Sequence, residues 1–344
     1  MSRIQLIVGS VTFFVTSIFV TPPAQAVQRT HVSAAFGSDA NTATNCAAAA
    51  PFRFFQAAMT ITDNNGEVIV LDSGGYGAVT ITQSVALIAP TGVYAGSSVF
   101  PGANGVTIAT PGVDVVLRGL SINGQGGNVG INMTAGKSLT VANSVISNLT
   151  QGGIAVSGFA IVKITDTVVQ RNFNSGILLL NGVRGTIIRT MVSGHINGDG
   201  FDGGIRVQSS VNGITTAVDI ADSTFDGNRN GVLALAFGFG VAAVTRVSVR
   251  DSRAVGNTNY GFRADSNPAC SVSLSVSNSL VSNNSNGIGG TNFGVKVWAS
   301  GNTISNNGLG LFNDNGAVFE SAGNNAVRNN GANNSGTITV IATQ

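Results

Sequence analysis

Hydrophobic and polar positions in this chain recur with a period much longer than that of any helix or strand. A polar anchor stands at Ser144, Thr167, Thr190, Ser223, Ser252, Ser279, Asn302 and Asn325, with successive intervals of 23, 23, 33, 29, 27, 23 and 23. Three residues before the anchors stand Val141, Ile164, Ile187, Ile220, Val249, Val276, Ala299 and Ala322. Two residues after them stand Ile146, Val169, Val192, Phe225, Ala254, Val281, Ile304 and Val327, so both columns are apolar throughout. Five residues after the anchor, six of the eight repeats carry Asn: Asn172, Asn228, Asn257, Asn284, Asn307 and Asn330. A Gly followed by an apolar residue comes soon after, as in Gly176-Ile177, Gly231-Val232, Gly261-Phe262 and Gly287-Ile288.

Each repeat thus holds two or three short alternating strands that cannot bury their own apolar side. Stacking repeats ~4.8 Å apart pairs each strand with its counterpart one turn on, and the apolar columns merge into one core. Asn suits the bend because its side chain bonds backbone, tolerates a left-handed conformation and can reach the next Asn of the stack. Gly is expected where the backbone needs positive φ. The consensus spacing of leucine-rich repeats is missing, and a sandwich of hairpins would not return at so constant an interval. The pattern predicts an all-β, single-stranded right-handed parallel β-helix, a solenoid of about ten turns.

Earlier strands are expected at 67–71, 78–81, 85–88, 106–108 and 113–117, with a last one within 336–341. Pro51 through Met59 starts with Pro and meets no breaker before 63–66, which predicts an N-terminal capping helix over the open end of the core. The domain reading is an export signal at 1–26, a cap at 27–66 and the solenoid at 67–344. Arg3, the apolar run Ile4 to Val20, the break at Pro22-Pro23 and the small-x-small site Ala24-Gln25-Ala26 carry the first of these. A membrane anchor competes, because the run is long, but Gly9, Ser10, Thr12, Thr16 and Ser17 interrupt it. No later stretch approaches the ~18 apolar residues of a span. A secreted or periplasmic protein without a membrane span after signal removal is expected.

Composition narrows the picture. There are 46 Gly in 344 residues, with 9% charged and 6% aromatic residues, which disfavours long helices. A formal charge of +2 offers no basic face for nucleic acid. Cys46 and Cys270 would lie about eight turns apart, on the order of 40 Å. A disulfide requires Cα atoms within ~7 Å, so none is expected.

Several segments resemble a known family. Val32 to Asp39, Phe55-Gln-Ala-Ala58 and Gly66 to Asp72 look like the cap and first strand of exported bacterial right-handed parallel β-helix repeat proteins. That superfamily includes pectate lyases and polygalacturonases. The resemblance covers nearly the whole chain beyond residue 26. It implies fold and export but no activity, since the fold hosts lyases, hydrolases, epimerases, phage tailspikes and adhesins.

Candidate chemistry concentrates in Gly194 to Gly204, GHINGDGFDGG. His195 takes the Asn column of its repeat, so a ladder role competes with a catalytic one. The chain then runs longer than usual before Gly204, which predicts a projecting loop, a common place for function. Asn197 to Asp202 resembles the Asn-Thr-Asp-Gly-x-Asp motif of polygalacturonases, which would make Asp199 a catalytic carboxylate. Inverting hydrolysis needs a second carboxyl group, and the family's paired aspartates and its later Gly-His-Gly and Arg-Ile-Lys motifs are missing. Asn197 to Ile205 also partly matches the calcium nonapeptide, with Gly198, Gly200 and Asp202 in place, making Asp199 and Asp202 candidate calcium ligands. The plainest reading is an insertion whose Gly and Asp residues make turns.

Lyase chemistry would need several carboxylates around calcium plus an Arg or Lys base. Asp219, Asp222 and Asp226 face Arg246, Arg250, Asp251 and Arg253 on adjacent turns, where inter-turn ion pairs account for them. Trp298 alternates with Val297 and Ala299, and one aromatic does not make a sugar platform. No nucleotide-binding or metal-spaced motif occurs. Two functions follow: an exported non-enzymatic solenoid that binds polysaccharide or a cell-surface glycan or acts as a structural rod, and a polysaccharide lyase or glycoside hydrolase with an atypical site at 194–206. Calcium is the one cofactor the loop could take; oligomeric state is left open.

Overall fold

The computed structural model describes residues 27–42 and 47–341, with 239 and 241 excepted. The chain winds into three parallel sheets of thirteen, eleven and eleven strands, and neighbours within a sheet are successive turns of one coil. It is a right-handed parallel β-helix of about ten turns. The first sheet runs from Val27–Val32 to Ile338–Val340, the second from Gly74–Gly75 to Ala326–Arg328, and the third from Val79–Ile81 to Ala332–Ser335.

Strand register follows the apolar columns. In the first sheet Val141, Ile164, Ile187, Ile220, Val249, Val276 and Ala299 pair in sequence. In the second, Ile146, Val169, Val192, Phe225, Ala254, Val281 and Ile304 do the same. These side chains are buried and form one continuous core. The last turn departs from expectation. Ala299 pairs with Ser321, so Ser321 rather than Ala322 is buried there, and Gly323 at φ 77 absorbs the extra residue.

The polar anchors form a buried ladder at the corner between the first and second sheets. The backbone N–H groups of Thr190, Ser223 and Ser252 donate to the hydroxyls of Ser223, Ser252 and Ser279 at 3.2, 3.2 and 3.1 Å. Ser279 N–H donates to Asn302 Oδ1 at 3.0 Å. The hydroxyls donate back to the strand they follow, as Ser223 does to the Ala221 carbonyl at 2.7 Å. The Asn column does likewise at the next corner: Asn228 and Asn257 N–H donate to Asn257 and Asn284 Oδ1 at 3.0 and 2.9 Å. These corners thereby satisfy buried polar groups that would otherwise cost stability.

Two expectations about turn chemistry are corrected. The left-handed residue is the one before each ladder residue, Asn148, Arg171, Gly194, Gly227, Gly256, Asn283, Asn306 or Asn329, and not the ladder Asn itself. The Gly before each inward residue of the third sheet does not supply positive φ. A Cβ on Gly176 would lie 2.7 Å from the Gly204 carbonyl oxygen, and one on Gly231 would lie 2.4 Å from that of Gly261. Close approach between turns is what requires glycine there.

The expected capping helix over 51–59 shrinks to five residues, Phe55–Met59. Phe52 instead bridges Val32, and the N–H groups of Arg53 and Phe54 donate to Asp39 Oδ1 at 2.8 and 3.1 Å. These bonds hold the segment after Pro51 extended. Phe55, Ala58 and Met59 still bury themselves against the core. The export segment, 1–26, lies outside the described residues, as does Cys46 and with it the question of its pairing; Cys270 is buried. Among the described residues no helix is long and apolar enough to cross a membrane.

Candidate functional site

The three long intervals, which carry the chain from Thr190 to Ser223, Ser252 and Ser279, place their extra length around one face. The additional residues lie in 194–204, before strand Ile205–Ser209, and in 210–214, 237–243 and 267–270, between the third and first sheets. Both edges of the third sheet's outer face are therefore built up near strands Ile205–Ser209, Asn230–Ala236 and Tyr260–Ser266.

His195 remains in the ladder. It is fully buried, its N–H and ring Nδ1 lie 3.2 and 2.9 Å from Asn228 Oδ1, and its Nε2 lies 3.1 Å from Asn172 Nδ2. Asn228 Nδ2 donates to the Val192 carbonyl at 2.9 Å, which fixes the amide and assigns the ring proton to Nδ1. Burial pushes the imidazole pKa down to about 4. The ring is a ladder rung that no substrate can reach, so the structure does not bring it to Asp199 and Asp202.

The two aspartates close the loop on itself. Asp202 Oδ1 accepts from Ser175 Oγ at 2.9 Å and from Arg206 Nη1 at 3.5 Å, and its Oδ2 accepts from the Asp199 N–H at 3.1 Å. Asn230 Nδ2 holds the Asp202 carbonyl at 2.8 Å. Asp199 Oδ1 accepts the Phe201 N–H at 2.8 Å. Arg206 is in turn oriented by Gln208, whose Oε1 accepts from Nε at 2.8 Å and from Nη2 at 2.5 Å. Beside the pair lies a groove of about 380 Å³ whose lining includes Asn132, Asn174, Ser175, Asp199, Asp202 and Arg206. A calcium ion shared by Asp199 and Asp202 would compete with the donors that already engage both Asp202 oxygens, and among the described residues no group of three His, Cys, Asp or Glu side chains gathers around a point.

Beyond the loop the face continues. Leu233 and Leu235 project outward, away from the core, yet are 0% and 2% exposed, so the face is roofed at that turn. The Phe201 and Phe237 rings from the two flanking loops lie 6.2 Å apart. The Arg263 guanidinium sits 5.7 Å from the Phe201 ring and 5.1 Å from that of Tyr260, paired at 2.6 Å with Asp265. Asn292 Nδ2 donates to the other Asp265 oxygen at 2.8 Å, and burial pushes the Tyr260 phenol up. The side chains of Arg206–Asp202 are 20% and 11% exposed and those of Arg263–Asp265 are 16% and 8%. The other ion pairs of the described residues are all at least 34% exposed. Ser175, Gln208, Tyr260, Arg263 and Asp265 were not among the candidates the sequence offered. Register aligns Arg206, Leu233 and Arg263 on one outward column, and the alternation of those strands was the available signal.

The second charged cluster divides. Arg253 and Asp226 pair across turns at 3.8 Å, and Arg250 pairs with its neighbour Asp251 at 2.9 Å. Burial pushes the Asp226 carboxyl up, against the pull of Arg253. Asp219 and Arg246, by contrast, join no ion pair among the described residues and face a groove on the first sheet.

No family model matches the chain, and no curated protein does. Solved structures do. The A-module of mannuronan C-5 epimerase AlgE4 from Azotobacter vinelandii is 13% identical over 81% of this chain and 91% of that one, with a TM-score of 0.54. XylC in complex with xylose is 9% identical over 83% and 69%, with a TM-score of 0.51. Pectate lyase Pel9A is 14% identical over 91% and 78%, with a TM-score of 0.46. At these identities the likeness is one of fold: this is a right-handed parallel β-helix of the pectate lyase-like type. Several of the structural neighbours are enzymes by name, including the pectate lyase and the mannuronan C-5 epimerase.

Proposed function

We propose that the protein is exported, to the periplasm or beyond the cell, and binds a polysaccharide or cell-surface glycan along the outer face of its third sheet without cleaving it. The observation that carries this is the groove of about 380 Å³ at the 194–206 loop, where a mostly buried Arg206–Asp202 pair meets Ser175 and Asn174. Held polar groups at the edge of a concave surface are what orients a sugar. The likeness to an epimerase of mannuronan and to a protein crystallised with xylose supports carbohydrate as the ligand class. Absence of cleavage is favoured because both Asp202 oxygens are engaged by donors and His195 is locked in the ladder. Calcium is not required by this reading.

A polysaccharide lyase or glycoside hydrolase is the second reading, and what favours it is Asp199, which lines the groove with only its Oδ1 accepting a hydrogen bond among the described residues. One experiment separates the two. The purified protein is melted with EDTA, with millimolar calcium, and with polygalacturonate, mannuronan or xylan, beside an Asp199→Ala/Asp202→Ala variant. Each mixture is assayed for reducing ends and unsaturated products. A glycan-dependent rise in melting temperature that the variant reduces, without products, is the expected result. Products would establish the enzyme, and no rise with any glycan would remove the third-sheet site.

A further inference from the structure

The groove on the outer face of the first sheet has chemistry that the third-sheet site does not use. Arg246, Ser273 and Lys296 occupy one outward column on successive turns, and Asp219, Ser248, Ser275, Trp298 and Glu320 occupy the next. At ~4.8 Å per turn, the second column extends about 19 Å along the stack. Between its charged ends the floor includes Ser248 and Ser275, and the recess measures about 390 Å³. Trp298 is half-buried, with Lys296 beside it on the same strand.

Four charges in this groove are unspent. Among the described residues Asp219, Arg246, Lys296 and Glu320 form no ion pair and no side-chain hydrogen bond, although adjacent turns bring opposite signs close together. Elsewhere Arg29, Lys137, Arg189, Arg206, Arg253 and Arg263 each find a carboxylate, while Arg118, Lys163, Arg184 and Arg229 find none among the described residues; what sets this groove apart is that both signs line one recess unpaired. The two cations share one column and the two carboxylates lie at the ends of the other. One wall therefore suits carboxylates, and the other accepts hydrogen bonds from hydroxyl groups and carries the Trp298 indole, next to Glu320, for the apolar side of a ring.

We propose that this groove is a second binding site, for a uronate-bearing oligosaccharide lying along the stack axis. The uronate carboxylates face Arg246 and Lys296, a ring lies against Trp298, and ring hydroxyls donate to Asp219 and Glu320. The site does not depend on the third-sheet reading, which concerns a different face.

Trp298 is the single tryptophan of the chain, so its fluorescence reports this groove alone. The experiment titrates the protein with hexagalacturonate and, separately, with the neutral cellohexaose, following tryptophan emission at low and high salt. A saturable emission change with hexagalacturonate, weakened by salt and about tenfold weaker in an Arg246→Gln/Lys296→Gln variant, is expected. Calorimetry on Trp298→Ala should show the same ligand bound more weakly, and Asp202→Ala should leave the emission titration unchanged. No emission change at millimolar hexagalacturonate, an equal response to cellohexaose, or full binding by the double variant would each overturn the proposal. Loss of the signal in Asp202→Ala would do so as well, by moving the site to the other face.

Discussion

The regular turns after Ser279 and the long turns between Thr190 and Ser279 make the same frame and different surfaces. From Asn284 to Asn330 the Asn ladder passes through regular turns, with Asn284 and Asn307 N–H donating to Asn307 and Asn330 Oδ1 at 3.0 and 2.9 Å. From His195 to Asn257 it crosses the two longest turns, and the corresponding bonds are 3.2 and 3.0 Å. The extra length between Thr190 and Ser223 therefore leaves the stack undisturbed. That length is expelled to the two edges of the third sheet, which is where the mostly buried ion pairs stand. A solenoid can carry such loops because each turn is held mainly by the turns above and below it.

The comparison breaks most visibly in the frame. Val169 is fully buried between Ile146 and Val192, so Val169→Asp places an unpaired charge inside the stack. A loss of about 4 kcal/mol or more is expected in denaturant melts. Stability equal to that of the parent would remove the inward-column assignment.

A smaller effect tests the rung where the two kinds of turn meet. The folded pKa of His195 is about 4 against an ordinary 6.5. Between these values the unfolded chain binds the proton that the folded one refuses, so stability rises with pH across that window. The contribution is fully present above pH 6.5 and is lost as pH falls to about 4, a change on the order of 3 kcal/mol. His195→Asn restores the residue used by the other rungs. It should flatten the acid limb of melts run from pH 7 to pH 4 while changing stability at pH 7 by no more than about 1 kcal/mol. An unchanged acid limb would mean the ring is not the buried, neutral rung described.

The smallest effect lies in the loop itself. Asp202→Ala removes the partner of Ser175, of the Asp199 amide and of Arg206, and about 1–2 kcal/mol is expected. Asp199→Ala loses one local turn bond and should stay within about 0.5 kcal/mol. Equal costs in parallel thermal melts would place the structural weight of the loop elsewhere.

Much of this was legible in the chain. Thr190, Ser223 and Ser252 were identifiable as anchors because identical turns impose identical demands on residues at one offset. His195 was placed in the ladder by the same count. The capping helix was overestimated because Pro51 reads as a helix start, while the Asp39 carboxylate that holds Arg53 and Phe54 extended lies well upstream in the chain. The column glycines were assigned to positive φ because their true constraint, a carbonyl on the next turn, has no local signature.

By itself the sequence determined the coil, its two apolar columns, its polar rungs and the place where a loop must leave the stack, since each is a periodic property that one turn's chemistry dictates. Only the tertiary structure decided which face becomes chemical. Arg263 and Asp265 stand close together on a strand like many others, and as a mostly buried pair they meet the Phe201 ring, from a loop two turns earlier, and Asn292, from the turn after. Trp298 looked like a lone aromatic, and it gains Arg246 and Glu320 as groove neighbours only through the register of stacked turns. Burial and encounter depend on where distant turns come to lie, and no local pattern encodes that.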